Sequence, residues 1–212
     1  MKRIVKIAEP AELLAWKNTD KKFLKGLPEW KRIPSQVKDI VRISLREEQG
    51  FICCYCERYM QDGDFHIEHV KPQGISATKQ FLADYDNMIC SCQFEEEKGA
   101  PRHCGNSKGS WYDPALFISP LDPTCEERFE YTFDGLIEPV LETDQAASVT
   151  IERLQLNIDK IKALRSSAIE PFLDDALDEA DVKAFAEGYL VDKANNLGRF
   201  NQFYTTIKYL FT

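Results

Sequence analysis

Six of the seven cysteines fall between residues 53 and 104, in a segment that is rich in glycine, proline and polar residues. Cys53 and Cys56 form a C-x-x-C pair, the spacing at which two thiolates reach one zinc ion from a tight turn. Cys92 and Cys104 flank an insertion, QFEEEKGAPRH, and would complete a set of four. Structural zinc binding contributes roughly 10–16 kcal/mol to folding, so it can organise a segment with few apolar runs. The sequence therefore predicts a structural site for Zn²⁺.

Three further cysteines are expected to be buried thiols or, for Cys125, a surface thiol. Cys54 and Cys90 lie inside the cysteine-rich segment, and Cys125 lies outside it. Cysteine is among the most buried residue types, so the alternative that some of the four proposed ligands are also plain buried thiols stays open. The odd count and the close spacing disfavour a disulfide framework and are typical of a reducing compartment.

The charge and hydropathy of the chain limit its surroundings and partners. The N-terminal sequence lacks the apolar stretch of a secretory signal, and no run of 18 apolar residues occurs, which predicts a cytoplasmic protein without a membrane partner. The net charge of −8 divides into +5 for residues 1–58, −3 for 59–109 and −10 for 110–212. Tight duplex binding by the whole surface is disfavoured, because phosphate contacts need basic residues, whereas a local groove fed by the basic N-terminal third stays possible.

The secondary-structure pattern predicts helices before and after the cysteine-rich segment. A short helix is expected from Pro10 to Lys17, and a second is expected to begin with Ser35 as N-cap and to stop at Gly50. An Asp134-Gly135 pair between alternating apolar residues predicts a β-hairpin, and the pattern is helical from Ser148 onward. These elements indicate an α+β fold.

A second group of polar residues follows the C-x-x-C pair in the stretch HIEHVKP. Hydrolysis of a phosphodiester needs a base for water and a divalent ion for the phosphate charge. His69 suits the base, because an imidazole is mostly neutral near pH 7. In an extended strand Glu68 points to the opposite face, where it could bind Mg²⁺. His66 shares that face and could be an additional metal or phosphate contact, without a firm assignment. A surface polar turn or further zinc ligands are the alternatives.

The order of these residues resembles the signature of HNH, or ββα-metal, endonucleases: an acid-histidine pair before a proline, then an Asn step, then a cysteine and Asn-x-Lys-Gly. The resemblance implies a zinc-stapled ββα-metal core at residues 51–112, between an N-terminal helical and basic region (1–50) and a hairpin plus helical region (113–212). It also implies roles for two residues: Asn87 orients the histidine, and Asn106 is the second ligand of Mg²⁺ or Mn²⁺. Lys108, just after Asn106, is placed to meet phosphate.

The sequence departs from that signature in three places, and purely structural explanations remain open for several residues. The acid is Glu68 rather than the commoner aspartate, the insertion before Cys104 is long, and a glycine separates that cysteine from Asn106. Asn87 is also consistent with a plain turn, and Lys108 with a helix end. His103 is expected to be a solvated loop residue.

The flanking sequences resemble PtuB-type HNH nucleases of Septu and retron-associated anti-phage systems. The shared stretches are MKRIVKIAEPAELLAW, the H-I-E-H-x-x-P core, C-G-x-x-K-G and ERLQLNIDKIKALR. The resemblance implies a nucleic-acid substrate, with DNA favoured, and a PtuA-like ATPase as partner. Two alternatives stay open: a catalytically inert zinc-binding adaptor for such an ATPase, and a ribonuclease that acts on tRNA.

Overall fold

The structure is a computed structural model that describes residues 1–26, 29–74, 80–93 and 99–212. Residues 94–98 of the insertion between the second pair of cysteines, and residues 75–79 of the loop after the HIEHVKP stretch, lie outside the described residues. The described part is a mixed α+β fold with two small antiparallel sheets, as the sequence predicts. Its elements are α1 (Ala11–Thr19), α2 (Ser35–Glu48), β1 (Phe65–His69), β2 (Met88–Cys92), α3 (Cys104–Lys108), β3 (Phe129–Tyr131), β4 (Ile137–Pro139), α4 (Gln145–Leu154), α5 (Asp159–Ile169), α6 (Glu179–Tyr189) and α7 (Tyr204–Phe211).

The two predicted N-terminal helices are confirmed as α1 and α2, with one correction. Ser35 is the first helical residue and makes no capping hydrogen bond, so the predicted N-cap is wrong by one position. Pro34 occupies the N-cap in an extended conformation, φ −56° and ψ 146°, which its ring favours. The helix ends at Glu48, and Gly50 follows with φ +62°. A Cβ at Gly50 would lie 2.9 Å from the Phe200 nitrogen, so only glycine fits this turn.

Strands β1 and β2 and helix α3 form a compact ββα unit. In the antiparallel register His66 is opposite Ser91, and Glu68 is opposite Ile89. Because directly opposed residues share a face, these four side chains line one side of the hairpin and His69 lies on the other. The predicted division of Glu68 and His69 between two faces is confirmed.

The hairpin and helices of the C-terminal half are also as predicted. Strands β3 and β4 pair antiparallel, and Gly135 takes φ +86° in the turn between them. One apolar core extends from the N-terminal residues through the ββα unit to α5, and a smaller cluster of Ile169, Phe172, Ala186 and Ile207 lies under α6 and α7. Among the helices of the described residues, none has the length and apolar character needed to cross a lipid bilayer.

Candidate active site and metal centre

The four predicted zinc ligands converge on one point. The sulfur atoms of Cys53, Cys56, Cys92 and Cys104 all lie within 4.8 Å of one another, and all four side chains are buried. Two come from the turn after α2, one ends β2 and one begins α3. Four thiolates suit zinc, which prefers sulfur and nitrogen donors and four ligands in structural sites. The predicted cluster is confirmed, and zinc as its occupant stays a prediction.

His103 supports the sulfur cluster from the side, which corrects the expectation of a solvated loop position. Its ring is fully buried, and Nδ1 lies 3.2 Å from Cys104 Sγ and 3.8 Å from Cys92 Sγ. Its backbone N–H donates to Gln93 Oε1 at 3.1 Å. These contacts place His103 beside the end of β2 and the sulfurs, which sequence spacing alone does not indicate.

The remaining cysteines are buried thiols outside the four-sulfur cluster, and burial raises their pKa values. The pKa of Cys125 is about 12, and the pKa values of Cys54 and Cys90 also lie above the usual range. The backbone N–H of Cys54 donates to the Cys90 carbonyl at 3.2 Å, which ties the C-x-x-C turn to β2. Their predicted burial is confirmed.

Glu68 lies beside the sulfur cluster in a buried ion pair. Its Oε1 accepts hydrogen bonds from Lys108 Nζ at 2.8 Å and from the Tyr55 hydroxyl at 3.4 Å. Lys108 Nζ also donates to the His69 carbonyl at 3.0 Å, so α3 is tied to the end of β1. Burial raises the pKa of Glu68, while the lysine opposes that shift. Lys108 is only 2% exposed and committed to these contacts, and its predicted role with phosphate stays a prediction.

His69 is held as a neutral imidazole with a defined tautomer. Nε2 lies 3.1 Å from the Leu82 carbonyl, and because a carbonyl only accepts, Nε2 carries the proton. Nδ1 then has the lone pair, and it accepts from the Gln73 amide at 3.0 Å. The Trp30 ring packs edge-on against the imidazole, with centroids 4.8 Å apart. Burial lowers the pKa of His69 to about 4, so its ring is neutral at pH 7.

Glu68 and His69 line the same cavity, although their side chains leave opposite faces of β1. A cavity of about 240 Å³ lies at the end of β1. A larger cavity, of about 400 Å³, lies at the other end of the hairpin near Asp64 and Gln93, away from Glu68 and His69. We place the candidate site in the smaller one because it contains the acid and the imidazole. Its lining residues are Ile67, Glu68, His69, Pro72, Gln73, Gly74, Gly109 and Ser110.

Asn87 contacts the backbone on both sides of the loop that follows β1. Its Oδ1 accepts from the Lys71 N–H at 2.8 Å, and its Nδ2 donates to the carbonyls of Lys71 and Phe81 at 3.1 and 3.2 Å. These segments carry His69 and its acceptor Leu82. The contacts are those of a residue that orients the histidine through the backbone, and the catalytic role stays a prediction.

Asn106 points away from the acid that it is predicted to assist. Its Nδ2 donates to the Gln93 carbonyl at 2.6 Å, at the far end of β2. Among the described residues, its side chain makes no hydrogen bond with Glu68. The residue of α3 that faces Glu68 is Gly105, one position earlier.

Sequence reasoning missed several residues that complete the site. Tyr55 and Ser91 are buried beside Glu68 and the cysteines, while Trp30 and Gln73 contact His69. Ser91 stands next to a predicted ligand and Gln73 is four residues after the histidine, so proximity was a weak signal for both. Trp30 comes from a distant part of the chain and gave none.

One comparison with known proteins agrees with the motif. No family model matches the chain. Over 139 residues it is 34% identical to the protein named "Retron Vc95 putative HNH endonuclease" from Vibrio cholerae serotype O1 biovar El Tor. The match covers 63% of this chain and 65% of that protein, which is just under two thirds of the relative's length.

Proposed function

We propose that the chain is a metal-dependent HNH endonuclease that hydrolyses phosphodiester bonds of nucleic acid. The observation that carries the proposal is His69, a buried neutral imidazole whose lone pair lies on Nδ1 and whose neighbour in the same cavity is Glu68. A base next to a ligand for a divalent ion is the minimum that this hydrolysis needs. The similarity to a protein that is named an HNH endonuclease supports the same conclusion.

In this proposal the chain's own residues position water and take up its proton. Nδ1 of His69 accepts the proton of the attacking water, while the Leu82 carbonyl keeps the ring in the required tautomer. Gln73 must release Nδ1 before water can reach it, because both use the same lone pair. A bound Mg²⁺ or Mn²⁺ ion would stabilise the charge that develops on the phosphate.

We further propose a DNA substrate and a place in ATPase-controlled anti-phage defence, with a PtuA-like ATPase as partner. The support is the resemblance of the flanking sequences to PtuB-type nucleases and the retron context in the relative's name. A tRNA substrate or an inert adaptor would keep the same fold. These alternatives differ only in what the protein cleaves, so a cleavage assay separates them.

The decisive experiment compares the wild type with His69→Ala. We expect the variant to lose cleavage by roughly 10²- to 10⁴-fold, the usual contribution of a general base, and to keep its zinc content and its cooperative melting. Asn195→Ala, an exposed polar position in the C-terminal half, is the control and should cleave like the wild type.

The assay uses plasmid, linear duplex, single strands and tRNA with Mg²⁺ or Mn²⁺, with and without any co-encoded ATPase. Cleavage of DNA that depends on His69 supports the proposal. Cleavage of tRNA alone would select the ribonuclease. Absence of His69-dependent cleavage under every condition, with zinc bound and the fold intact, would leave the adaptor.

A further inference from the structure

Three polar atoms converge on the space above Gly105. A Cβ at this position would lie 2.9 Å from His66 Nε2, 3.0 Å from Glu68 Oε2 and 3.0 Å from Ser91 Oγ. The first distance is shorter than real Cβ contacts and the other two are tighter than nine in ten of them, so a larger residue would push these side-chain atoms aside. The glycine therefore keeps open a small polar cradle between the hairpin and α3. We refer to His66, Glu68, Ser91 and Gly105 as the Gly105 cradle.

Two atoms of the Gly105 cradle, Glu68 Oε2 and His66 Nε2, make no hydrogen bond with a described residue. Glu68 binds Lys108 and Tyr55 through Oε1, and no described residue donates a hydrogen bond to its Oε2. The His66 ring likewise makes no hydrogen bond with a described residue. Ser91 Oγ instead accepts the Gly105 N–H at 3.0 Å, which fixes α3 against the strand. An acidic oxygen and an imidazole nitrogen thus face one point without a hydrogen-bond partner among the described residues.

The backbone places these two atoms together. His66 and Glu68 are two residues apart in β1, so their side chains leave the same face of the strand. Both atoms lie within about 3 Å of the position of one Cβ, so the distance between them is at most the sum of those two lengths. This spacing allows one ion to contact both atoms after small rotations of the side chains.

We propose that His66 Nε2 and Glu68 Oε2 are the protein ligands of the catalytic divalent ion, and that Asn106 is not a ligand. This rests on the proposed function, and it changes the ligand set that the HNH resemblance implies for this chain. Successive residues of a helix point about 100° apart, so Gly105 and Asn106 cannot both face Glu68. Asn106 is instead bonded to the Gln93 carbonyl.

The ligand types also indicate which ion the site prefers. A carboxylate suits Mg²⁺ and Mn²⁺ alike, whereas imidazole favours transition metals over Mg²⁺. A site that contains His66 and Glu68 should therefore bind Mn²⁺ more tightly than Mg²⁺. Zn²⁺ in the sulfur cluster is diamagnetic, so added Mn²⁺ can be observed without interference from it.

The test measures Mn²⁺ binding to the zinc-loaded, full-length protein by electron paramagnetic resonance. We expect nitrogen coupling from a bound imidazole in the wild type, and its loss in His66→Ala together with at least a tenfold weaker Mn²⁺ affinity. Asn106→Ala should keep both the coupling and the affinity. Zinc content and melting of each variant show that the fold is intact.

A second pair of variants tests the Gly105 cradle itself. Gly105→Ala should weaken Mn²⁺ binding by at least tenfold, because the new methyl group displaces His66 Nε2 and Glu68 Oε2. Gly188→Ala is the matched control, since it makes the same change in α6 where no atom lies within 4 Å. It should bind Mn²⁺ like the wild type.

The outcomes separate this inference from the proposed function. If His66→Ala keeps the nitrogen coupling and the affinity, or if Asn106→Ala loses the affinity, the ligand assignment is overturned even when His69-dependent cleavage is observed. If the coupling depends on His66 but no nucleic acid is cleaved, the ligand assignment holds and the proposed function fails.

Discussion

The four-sulfur cluster and the Gly105 cradle are built from adjacent residues but have opposite chemistry. Cys92 and Cys104 belong to the cluster, while their neighbours Ser91 and Gly105 belong to the cradle. The cluster consists of four identical donors that are all buried. The cradle and the histidine beside it offer mixed donors, and they adjoin a cavity of about 240 Å³. The first turn of α3 and the end of β2 therefore contribute residues to both the sulfur cluster and the cradle.

This difference indicates how the two centres divide their roles. Structural zinc sites are closed by four protein ligands, whereas catalytic metal sites keep positions open for water and substrate. The sulfur cluster has the full set of four, and the cradle supplies two ligands by our inference. The sulfur cluster can fix where α3 lies against the hairpin. The Gly105 cradle depends on that placement, because Ser91 Oγ accepts a hydrogen bond from the Gly105 N–H of α3.

Loss of a sulfur ligand should have the largest effect of any single change. In Cys104→Ser we expect loss of zinc and loss of cooperative folding of the ββα unit. The reason is that structural zinc contributes roughly 10–16 kcal/mol, as much as the whole stability of an ordinary domain, about 5–15 kcal/mol. Zinc content and thermal melting measure both effects.

Cys125→Ser is the matched control for that change. Cys125 is equally buried but lies outside the four-sulfur cluster, so its replacement should cost only about 1–3 kcal/mol for burying a new hydroxyl and leave zinc content unchanged. Equal loss of zinc and stability in the two variants would remove the distinction between cluster and ordinary core.

The second effect in size concerns the ion pair beneath the Gly105 cradle. Lys108→Met leaves Glu68 buried without its partner, which should lower the free energy of unfolding by about 3 kcal/mol, the lower end for such pairs because a carboxyl group can take up a proton. Zinc should stay bound. Urea denaturation with metal analysis measures both quantities.

The double variant Lys108→Met with Glu68→Gln sharpens this test. Removing the charge of Glu68 as well should restore most of the lost stability, because the cost arises from an unpaired buried charge rather than from a lost contact. If the double variant is as unstable as Lys108→Met alone, packing of the lysine stem, and not the ion pair, holds α3 in place.

The parts of the fold that were predictable from sequence are those set by local spacing. The C-x-x-C pair, the Asp134-Gly135 turn and the alternation of Glu68 and His69 depend on a few consecutive residues. Each of these patterns has one strongly favoured local geometry.

What the sequence did not reveal depends on contacts between distant segments. The signature implies a second ligand at Asn106, and our inference departs from it because the direction of each α3 side chain depends on where the four cysteines hold the helix. His103 is predicted to be a solvated loop residue because nothing local shows that its ring contacts the sulfurs. Trp30 meets His69 across a distance of 39 positions, for which periodicity has no signal.

The smallest expected effect concerns the contacts of His69. It tests whether one of these contacts can be removed without loss of stability, which we do not expect for a ligand of the sulfur cluster. Gln73 is exposed and donates to the Nδ1 lone pair of His69, which takes the proton of water in the proposed mechanism. Its hydrogen bond is worth about 0.5–1.5 kcal/mol, so Gln73→Ala should raise the cleavage rate by roughly two- to tenfold and change stability by less than about 0.5 kcal/mol. Gln36→Ala, an exposed change on α2, should alter neither. The ring stays fixed by the Leu82 carbonyl and by Trp30, so a tenfold fall in rate would mean that Gln73 holds the water rather than blocking it.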